Sequence, residues 1–250
     1  MEGITFDSSA CAACGLCARS CPFRLIGQDT EGKPFFRDDG VACMECGHCA
    51  AVCPNGAITV RGERVTPIGA RDELSFIRER RSYRRFRAEA VPFETIERAI
   101  DATRYAPTGK NAQPVEWSVI TDRGLIARLA RGLLERIRTA PELALRYKYV
   151  AAEEDPIFWD APALVVAHGD PKASIWQGDG IVAATAFDYA SQALGLGTCW
   201  SGTAMRASEA IGKAARIPEG HVIHAVLMVG FPDERFVALP PRKPAKITRI

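Results

Sequence analysis

The sequence predicts an α+β protein with two domains, a small cysteine-rich domain followed by a larger domain built around a central sheet. Three observations support this prediction. Eight of the nine cysteines fall into two copies of one spacing near the N-terminus. The segment 66–70 then contains Pro67 and Gly69 and no cysteine, which is typical of a linker. Beyond it, helical and extended patterns alternate along the chain.

These patterns divide the chain into residues 1–66, a linker at 67–73 and a second domain at 74–250. With 250 residues and 47% hydrophobic content, the chain is long enough to bury a sizeable core. We therefore expect one small and one large domain.

The two cysteine runs form an internal repeat with an offset of 32 residues. They are Cys11-x2-Cys14-x2-Cys17-x3-Cys21-Pro22 and Cys43-x2-Cys46-x2-Cys49-x3-Cys53-Pro54. This spacing resembles the run of bacterial ferredoxins, which hold two [4Fe–4S] clusters and in which the fourth cysteine of each run binds the other cluster. The resemblance assigns Cys11, Cys14, Cys17 and Cys53 to one cluster, and Cys43, Cys46, Cys49 and Cys21 to the second.

A zinc site and a disulfide framework are the alternatives for these cysteines. Zinc sites usually pair two C-x2-C units that lie far apart, without a third cysteine or a Cys-Pro ending. Gly15 and Gly47 follow the second cysteine of each run, where a larger side chain is expected to collide with a cluster. Short extended stretches are predicted at residues 33–37 and 57–61, with a polar loop or hairpin at 26–40.

The second domain is predicted to alternate helices and strands. Residues 122–138 repeat apolar side chains at helical spacing, and residues 179–194 are apolar nearly all round, as in a core or subunit-interface helix. The other predicted helices are 72–81, 92–104 and 207–216. The predicted strands are 115–121, 163–167 and 221–230, and residues 240–250 are predicted to be an extended basic tail.

Five motifs of this domain occur in the order typical of the FMN-dependent nitroreductase family. They are Arg80-Arg81-Ser82-Tyr83-Arg84-Arg85-Phe86, Ala106-Pro107-Thr108-Gly109-Lys110-Asn111-Ala112-Gln113-Pro114, Asp160-Ala161-Pro162, Gly195-Leu196-Gly197-Thr198-Cys199-Trp200 and Val229-Gly230-Phe231-Pro232. Residues 74–250 therefore resemble this family, and the whole chain resembles its cluster-containing branch. The resemblance implies a three-layer α+β domain with a central mixed sheet.

The resemblance also implies an FMN site. FMN carries a phosphate dianion, and guanidinium groups pair with phosphate oxygens bidentately, so we expect Arg80, Arg84 and either Arg242 or Lys243 at the phosphate. Arg81 and Ser82 are expected beside the phosphate–ribityl chain and the pyrimidine edge. The arginines alone would also fit a solvated helix face.

Two further segments complete the expected FMN site. Asn111 is expected to bind the flavin ring, and the other residues of its turn are Pro107, Thr108 and Gln113, although an ordinary loop would fit this pattern too. The backbone N–H groups of Gly195, Leu196, Gly197 and Thr198 are expected near flavin N5 and O4, where donors stabilise the reduced ring. No side-chain acid or base is expected to be catalytic.

Together, the two resemblances imply that the protein is an oxidoreductase, which takes electrons from a one-electron donor protein such as ferredoxin. Two [4Fe–4S] clusters would pass them to FMN, which would transfer hydride to a nitroaromatic, a quinone or a similar conjugated acceptor. The alternatives are ene reduction or reductive dehalogenation on the same scaffold, or a non-enzymatic shuttle that docks on a larger redox complex. The family builds its flavin site between two subunits, so a homodimer is implied.

Composition narrows the remaining function classes. A net charge of +2 gives no electrostatic case for binding nucleic acid. The sequence shows neither a signal-peptide pattern nor an apolar run that could span a membrane, and cluster thiolates need a reducing compartment, so we expect a cytoplasmic protein. Cys199 is expected to be a buried hydrophobe, and His168, His221 and His224 show no ligand spacing.

Overall fold

The structure is a computed structural model. It describes residues 3–21, 25–37, 43, 45, 47–64, 73–138, 155–173, 175–233 and 245–250. Among these, contacts divide the chain into two compact units, one of residues 1–71 with Lys110–Ala112 and one of the remaining residues. The predicted linker 67–73, apart from Glu73, lies outside the described residues, as do Pro22, Cys46, Arg242 and Lys243.

The first unit repeats a strand–loop–helix–strand pattern. Its elements are β1 (Ile4–Phe6), α1 (Leu16–Ser20), β2 (Ile26–Gln28), β3 (Pro34–Phe36), α2 (His48–Ala51), β4 (Ile58–Val60) and β5 (Glu63–Arg64). β1 pairs with β4 and β2 pairs with β3, all antiparallel. The strand before the helix of each repeat thus pairs with the strand after the helix of the other, and β5 pairs with β4. The pair β2–β3 confirms the hairpin predicted between the two cysteine runs.

A small apolar core joins the two repeats of this unit. Ile26 and Ile58 come from equivalent strands, and Ala50 lies between them with the buried cysteines Cys17 and Cys49. Because each repeat is too short to bury its apolar face alone, the two halves stabilise each other.

The second unit begins with helices and closes with the last strand of its sheet. The helices are α3 (Glu73–Glu79), α4 (Phe93–Ala102), α5 (Arg123–Arg138), α6 (Trp176–Ala193), α7 (Gly202–Met205) and α8 (Ser208–Ala214), with a 3-10 turn at Thr103–Tyr105. A second 3-10 turn, Gly109–Asn111, begins with Gly109 of this unit. The strands are β6 (Glu116–Ile120), β7 (Ala163–Gly169), β8 (Gly197–Trp200) and β9 (Val222–Gly230).

The four strands form one sheet in the order β6–β7–β9–β8. All neighbours pair antiparallel, and an isolated parallel bridge joins Ser82 to Thr198 on β8. The predicted mixed sheet is therefore antiparallel in its four strands, with one parallel bridge. Gly197 and Thr198, two of the four residues expected to present backbone N–H groups to the flavin, lie in the strand β8.

Side chains along β7 point alternately to the two faces of the sheet, and helices pack on each face, so the unit has three layers. Leu164 and Val166 face a core with α5 and α8, whereas Val165 faces a second core with α4 and α6. Every residue of β7 is buried, since helices cover both faces of the sheet. The predicted three-layer α+β architecture is confirmed.

Candidate functional site

Four cysteines of the first unit line one cavity. They are Cys11, Cys14 and Cys17 from the first run and Cys53 from the second, and the wall between them includes Leu16 and Ile58. This set is the one predicted for the first cluster. We call these four residues the cluster cradle.

Backbone N–H groups point at cysteine sulfurs in the same pattern in both repeats. Ala13 N–H donates to Cys11 Sγ at 3.4 Å, and 32 residues later Glu45 N–H donates to Cys43 Sγ at 3.4 Å. Leu25 N–H donates to Cys21 Sγ, and Ala57 N–H donates to Cys53 Sγ, each at 3.3 Å. Such donors stabilise negative charge on sulfur, so the loops suit metal-bound thiolates.

Left-handed backbone shapes each cysteine loop. Ala13 and Gly15 have φ of 54° and 71°, and Glu45 and Gly47 have φ of 49° and 74°. A Cβ at Gly15 would also lie 2.6 Å from the Gln28 side-chain oxygen. The backbone at this position favours glycine, and a larger side chain would also displace the end of the Gln28 side chain, a reason different from the collision with a cluster expected from sequence.

The described cysteines of the second predicted set lie in the core of the same unit. Cys49 is buried, and Cys21 and Cys43 are partly buried against the core. The fourth member, Cys46, lies outside the described residues. Burial raises the pKa of the Cys17 thiol, which therefore favours its protonated form. Because iron binds the thiolate, ligation at Cys17 would release this proton.

In the second unit, a buried carboxylate joins two of the segments predicted to bind FMN. Asp188 Oδ2 accepts a hydrogen bond from Arg80 Nη1 at 3.2 Å, and Asp188 Oδ1 accepts one from the Thr198 hydroxyl. Asp188 is 4% exposed. No role was predicted for Asp188 from the sequence, although a lone acid within an apolar stretch of a predicted helix is a signal for a buried, paired carboxylate.

The segment after Arg80 runs alongside β8. Ser82 forms a parallel bridge with Thr198, and Tyr83 N–H donates to the Thr198 carbonyl at 2.9 Å. A Cβ at Gly197 would lie 2.8 Å from the Tyr83 ring, so this close approach requires glycine. The structure thus brings together Arg80–Ser82 and Gly197–Thr198, two of the segments expected from the sequence at an FMN site. Arg84 is exposed.

The third segment, 107–114, is fixed by its own hydrogen bonds. Gln113 N–H donates to Thr108 Oγ1 at 3.0 Å, and Gln113 Nε2 donates to the Arg104 carbonyl at 2.9 Å. Lys110, Asn111 and Gln113 all have positive φ, between 49° and 55°. Non-glycine residues in this conformation are strained and cluster at functional sites.

Helix α6 connects this third segment to the other two. Near its start, the buried Asp179 accepts a hydrogen bond from Gly109 N–H at 3.0 Å. Nine residues later, Asp188 binds Arg80 and Thr198. Consequently, each of the three segments makes a hydrogen bond to a buried aspartate of one helix.

Cys199 is 2% exposed in the core beside β9. Burial raises the pKa of its thiol, which fits the packing role expected for it. Of the aromatic residues between 139 and 160, Phe158 is fully buried.

No helix within the described part of the chain is long and apolar enough to cross a membrane.

Two family models match the chain. The nitroreductase family model matches residues 77–231, more than half of the chain, and a 4Fe-4S dicluster domain matches residues 10–58. Both matches agree with the resemblances derived from the motifs. A protein of Archaeoglobus fulgidus with the provisional name NADH dehydrogenase/NAD(P)H nitroreductase is 26% identical over 168 residues, 64% of this chain and 86% of that protein.

Solved structures show the same fold. A nitroreductase with bound FMN from Desulfitobacterium hafniense superposes with a TM-score of 0.62 at 22% identity, over 73% of this chain and 100% of that chain. An iodotyrosine deiodinase bound to FMN and 3-iodo-L-tyrosine superposes with a TM-score of 0.58 at 21% identity, over 70% of this chain and 97% of that chain. At these identities the likeness concerns the fold.

Proposed function

The chain belongs to the nitroreductase family, and from that premise we propose the route of its electrons. It is an FMN-dependent oxidoreductase with a 4Fe-4S ferredoxin domain. In our proposal, a one-electron donor protein of the ferredoxin type reduces two [4Fe–4S] clusters held by residues 1–66. Their electrons reach FMN held by residues 74–250, and a conjugated small molecule is the final acceptor.

The observation that carries this proposal is the cluster cradle. Three cysteines of one run and the last cysteine of the other line a single cavity, and amide N–H groups point at Cys11 and Cys53. This donor set suits iron–sulfur chemistry, since clusters are held by four thiolates and tuned by N–H···S bonds. A cluster accepts electrons singly, so its presence in this chain favours a one-electron donor.

The proposed FMN residues fit that cofactor chemically. Arg80 carries five N–H donors, and its bond to Asp188 uses one of them while fixing the guanidinium group. The remaining donors suit a phosphate, with Arg84 and Arg242 or Lys243 as further cations. Arg81, Ser82, Pro107, Thr108, Asn111 and Gln113, together with the backbone of Gly195–Thr198, are proposed to hold the ribityl chain and ring.

Bound FMN supplies hydride transfer to the acceptor. For a nitroaromatic, two electrons and two protons give the nitroso compound and water, and for a quinone they give the quinol. The protein side chains bind and orient the reactants, and we assign none of them a proton-transfer role. Ene reduction and reductive dehalogenation remain alternatives for the same site.

We further propose that two copies of the chain assemble as a dimer. Family members build the flavin site between subunits, and α6 exposes Ile181 and Val182, at 47% and 38%, next to its buried face. Two adjacent exposed aliphatic side chains on a helix whose other face is buried fit an interface. Because cluster thiolates need a reducing environment, we propose the cytoplasm as the compartment.

Anaerobic turnover tests this function. Purified holoprotein would be supplied with reduced ferredoxin and a nitroaromatic, a quinone or a halogenated aromatic in turn. An enzyme gives a rate that saturates with one acceptor class and products that match the two-electron stoichiometry. Slow, non-saturating reduction of all acceptors would instead identify an electron shuttle.

A further inference from the structure

Three side chains that are distant in sequence meet at one end of the sheet of the second unit. Glu116 begins β6 and lies opposite His168, near the end of β7, in the strand register. His221 immediately precedes β9, the other neighbour of β7. Strand pairing therefore brings together one carboxylate and two imidazoles, which the sequence spacing did not reveal.

A register shift between β7 and β9, of the kind that a β-bulge makes, places His221 on the same face of the sheet as His168. The register between β7 and β9 shifts between Ala167 and His168. Bulges turn a side chain out of the regular alternation and recur next to functional sites. As a result, Nδ1 of His168 lies 3.1 Å from Nδ1 of His221. One ligand atom from each of Glu116, His168 and His221 lies within 4.8 Å of the other two.

The other nitrogen of His168 already has a partner. Its Nε2 lies 3.1 Å from the Ser118 hydroxyl, two residues along β6 from Glu116. When Nε2–H donates to that oxygen, the lone pair of His168 is on Nδ1, facing His221. Metal-binding histidines are typically held this way by a hydrogen bond from the non-ligating nitrogen.

We propose that Glu116, His168 and His221 bind a divalent first-row transition metal ion of the Zn²⁺ type. The ligand types are those of a His2Glu zinc site. Two imidazole nitrogens at about 2.0–2.1 Å from one tetrahedral ion lie about 3.3 Å apart, and the 3.1 Å between His168 Nδ1 and His221 Nδ1 is close to that separation.

The three proposed ligands differ in their exposure to solvent. His168 is 2% exposed, His221 is half-buried and Glu116 is exposed. The ion would thus be shielded from solvent on the side of His168 and open to solvent on the side of Glu116. A water molecule on the open side would be the fourth ligand of the ion.

Such an ion would tie together β6, β7 and β9 at their shared end. A ligand that binds only the folded chain stabilises it by mass action. The site uses none of the cysteines and none of the residues proposed to hold FMN, so it stands independently of the proposed electron route. The alternative is a histidine pair joined only by an N–H···N hydrogen bond.

The test uses anaerobic holoprotein with its iron–sulfur clusters assembled, so that iron occupies the cysteines. The protein is dialysed against micromolar free Zn²⁺, and zinc and iron per chain are then measured by mass spectrometry. The variants are Glu116→Gln and His221→Ala. Glu219→Gln is the matched control, because it removes an exposed carboxylate from the turn before His221.

We expect one zinc ion per chain in the wild type and in Glu219→Gln, with unchanged iron. Glu116→Gln should weaken zinc binding about tenfold or more, and His221→Ala should abolish it. Zinc should raise Tm most in the wild type and in Glu219→Gln, less in Glu116→Gln and not in His221→Ala. X-ray absorption should show nitrogen and oxygen at about 2.0–2.1 Å from zinc, without sulfur at about 2.3 Å.

Equal zinc content in the wild type, Glu116→Gln and His221→Ala would overturn the proposal, and so would a sulfur shell around the zinc. Absence of zinc from the wild type would leave the hydrogen-bonded pair as the correct description. Since Glu116 is exposed, Glu116→Gln keeps the test decisive if His221→Ala fails to fold.

Discussion

The carboxylate of Asp188 binds the guanidinium group of Arg80 at 3.2 Å across 108 residues of sequence. The side chain of Asp188 is 5% exposed and that of Arg80 is 29% exposed. The second carboxylate oxygen binds the Thr198 hydroxyl. The buried carboxylate of Asp188 therefore fixes the position of Arg80, which belongs to the proposed phosphate site, relative to Thr198 at the start of strand β8.

Asp188→Asn should destabilise the second unit. The substitution keeps the shape but removes the charge that pairs with a half-buried guanidinium group, which should cost about 1–3 kcal/mol. Thermal unfolding of the holoprotein should show a lower Tm. Asp233→Asn removes an exposed carboxylate from the same unit and should leave Tm unchanged. Equal Tm values for both variants would contradict a structural role for the Asp188–Arg80 pair.

Gly197→Ala should separate the segment of Ser82 from β8. The added Cβ would lie 2.8 Å from the Tyr83 ring, and overpacking of this kind costs about 1–3 kcal/mol. We expect loss of bound FMN, measured by flavin absorbance after gel filtration. Gly212→Ala in α8 is the control, since its Cβ meets no atom within 4 Å and alanine favours a helix. Retention of FMN by Gly197→Ala would argue against a flavin at this strand.

Cys14→Ser should remove iron and leave FMN bound. Loss of one thiolate of the cluster cradle should cost about half of the iron of two [4Fe–4S] clusters, and flavin reduction by ferredoxin should slow. Cys199→Ala, which removes the cysteine outside both runs, should keep full iron. Iron and FMN are measured on the same samples. If Cys14→Ser also lost its FMN, the division of the two cofactors between domains would be wrong.

Arg80→Ala combined with Arg84→Ala should release FMN and keep the iron. The double change removes two guanidinium groups proposed to pair with the phosphate. Arg98→Ala with Arg131→Ala removes two exposed helical arginines and should keep both cofactors. Arg84→Ala alone leaves the Asp188–Arg80 pair intact and should weaken FMN binding less, which separates phosphate binding from folding. Unchanged FMN content in the double variant would refute the phosphate assignment.

Local patterns in the sequence predicted most elements of the fold. The helical repeat of residues 122–138 corresponds to α5, and the apolar run 163–167 lies within β7. The resemblance of the cysteine spacing to the bacterial ferredoxin run predicted the four residues that line one cavity. Patterns of this kind lie within one short segment of the chain, so they can be recognised without knowing which distant residues the segment contacts.

Features that depend on distant pairing were missed. No strand was predicted at residues 197–200, because β8 is short and begins with glycine, a poor strand former, and its pairing with β9 outweighs that preference. Asp188 gains its role only when α6 packs beside Arg80 and Thr198. The histidines showed no ligand spacing, and only the register of β6 with β7 and a bulge bring His168 to Glu116 and His221.

Anaerobic stopped-flow absorbance tests the electron route most directly. Holoprotein is mixed separately with reduced ferredoxin and with NADPH, and the loss of the flavin band is followed in time. Entry through the clusters predicts fast bleaching by ferredoxin and slow bleaching by NADPH, with the ferredoxin phase slowed in Cys14→Ser. Fast bleaching by NADPH alone would contradict this route and would make the chain a pyridine-nucleotide nitroreductase, whose clusters act after the flavin.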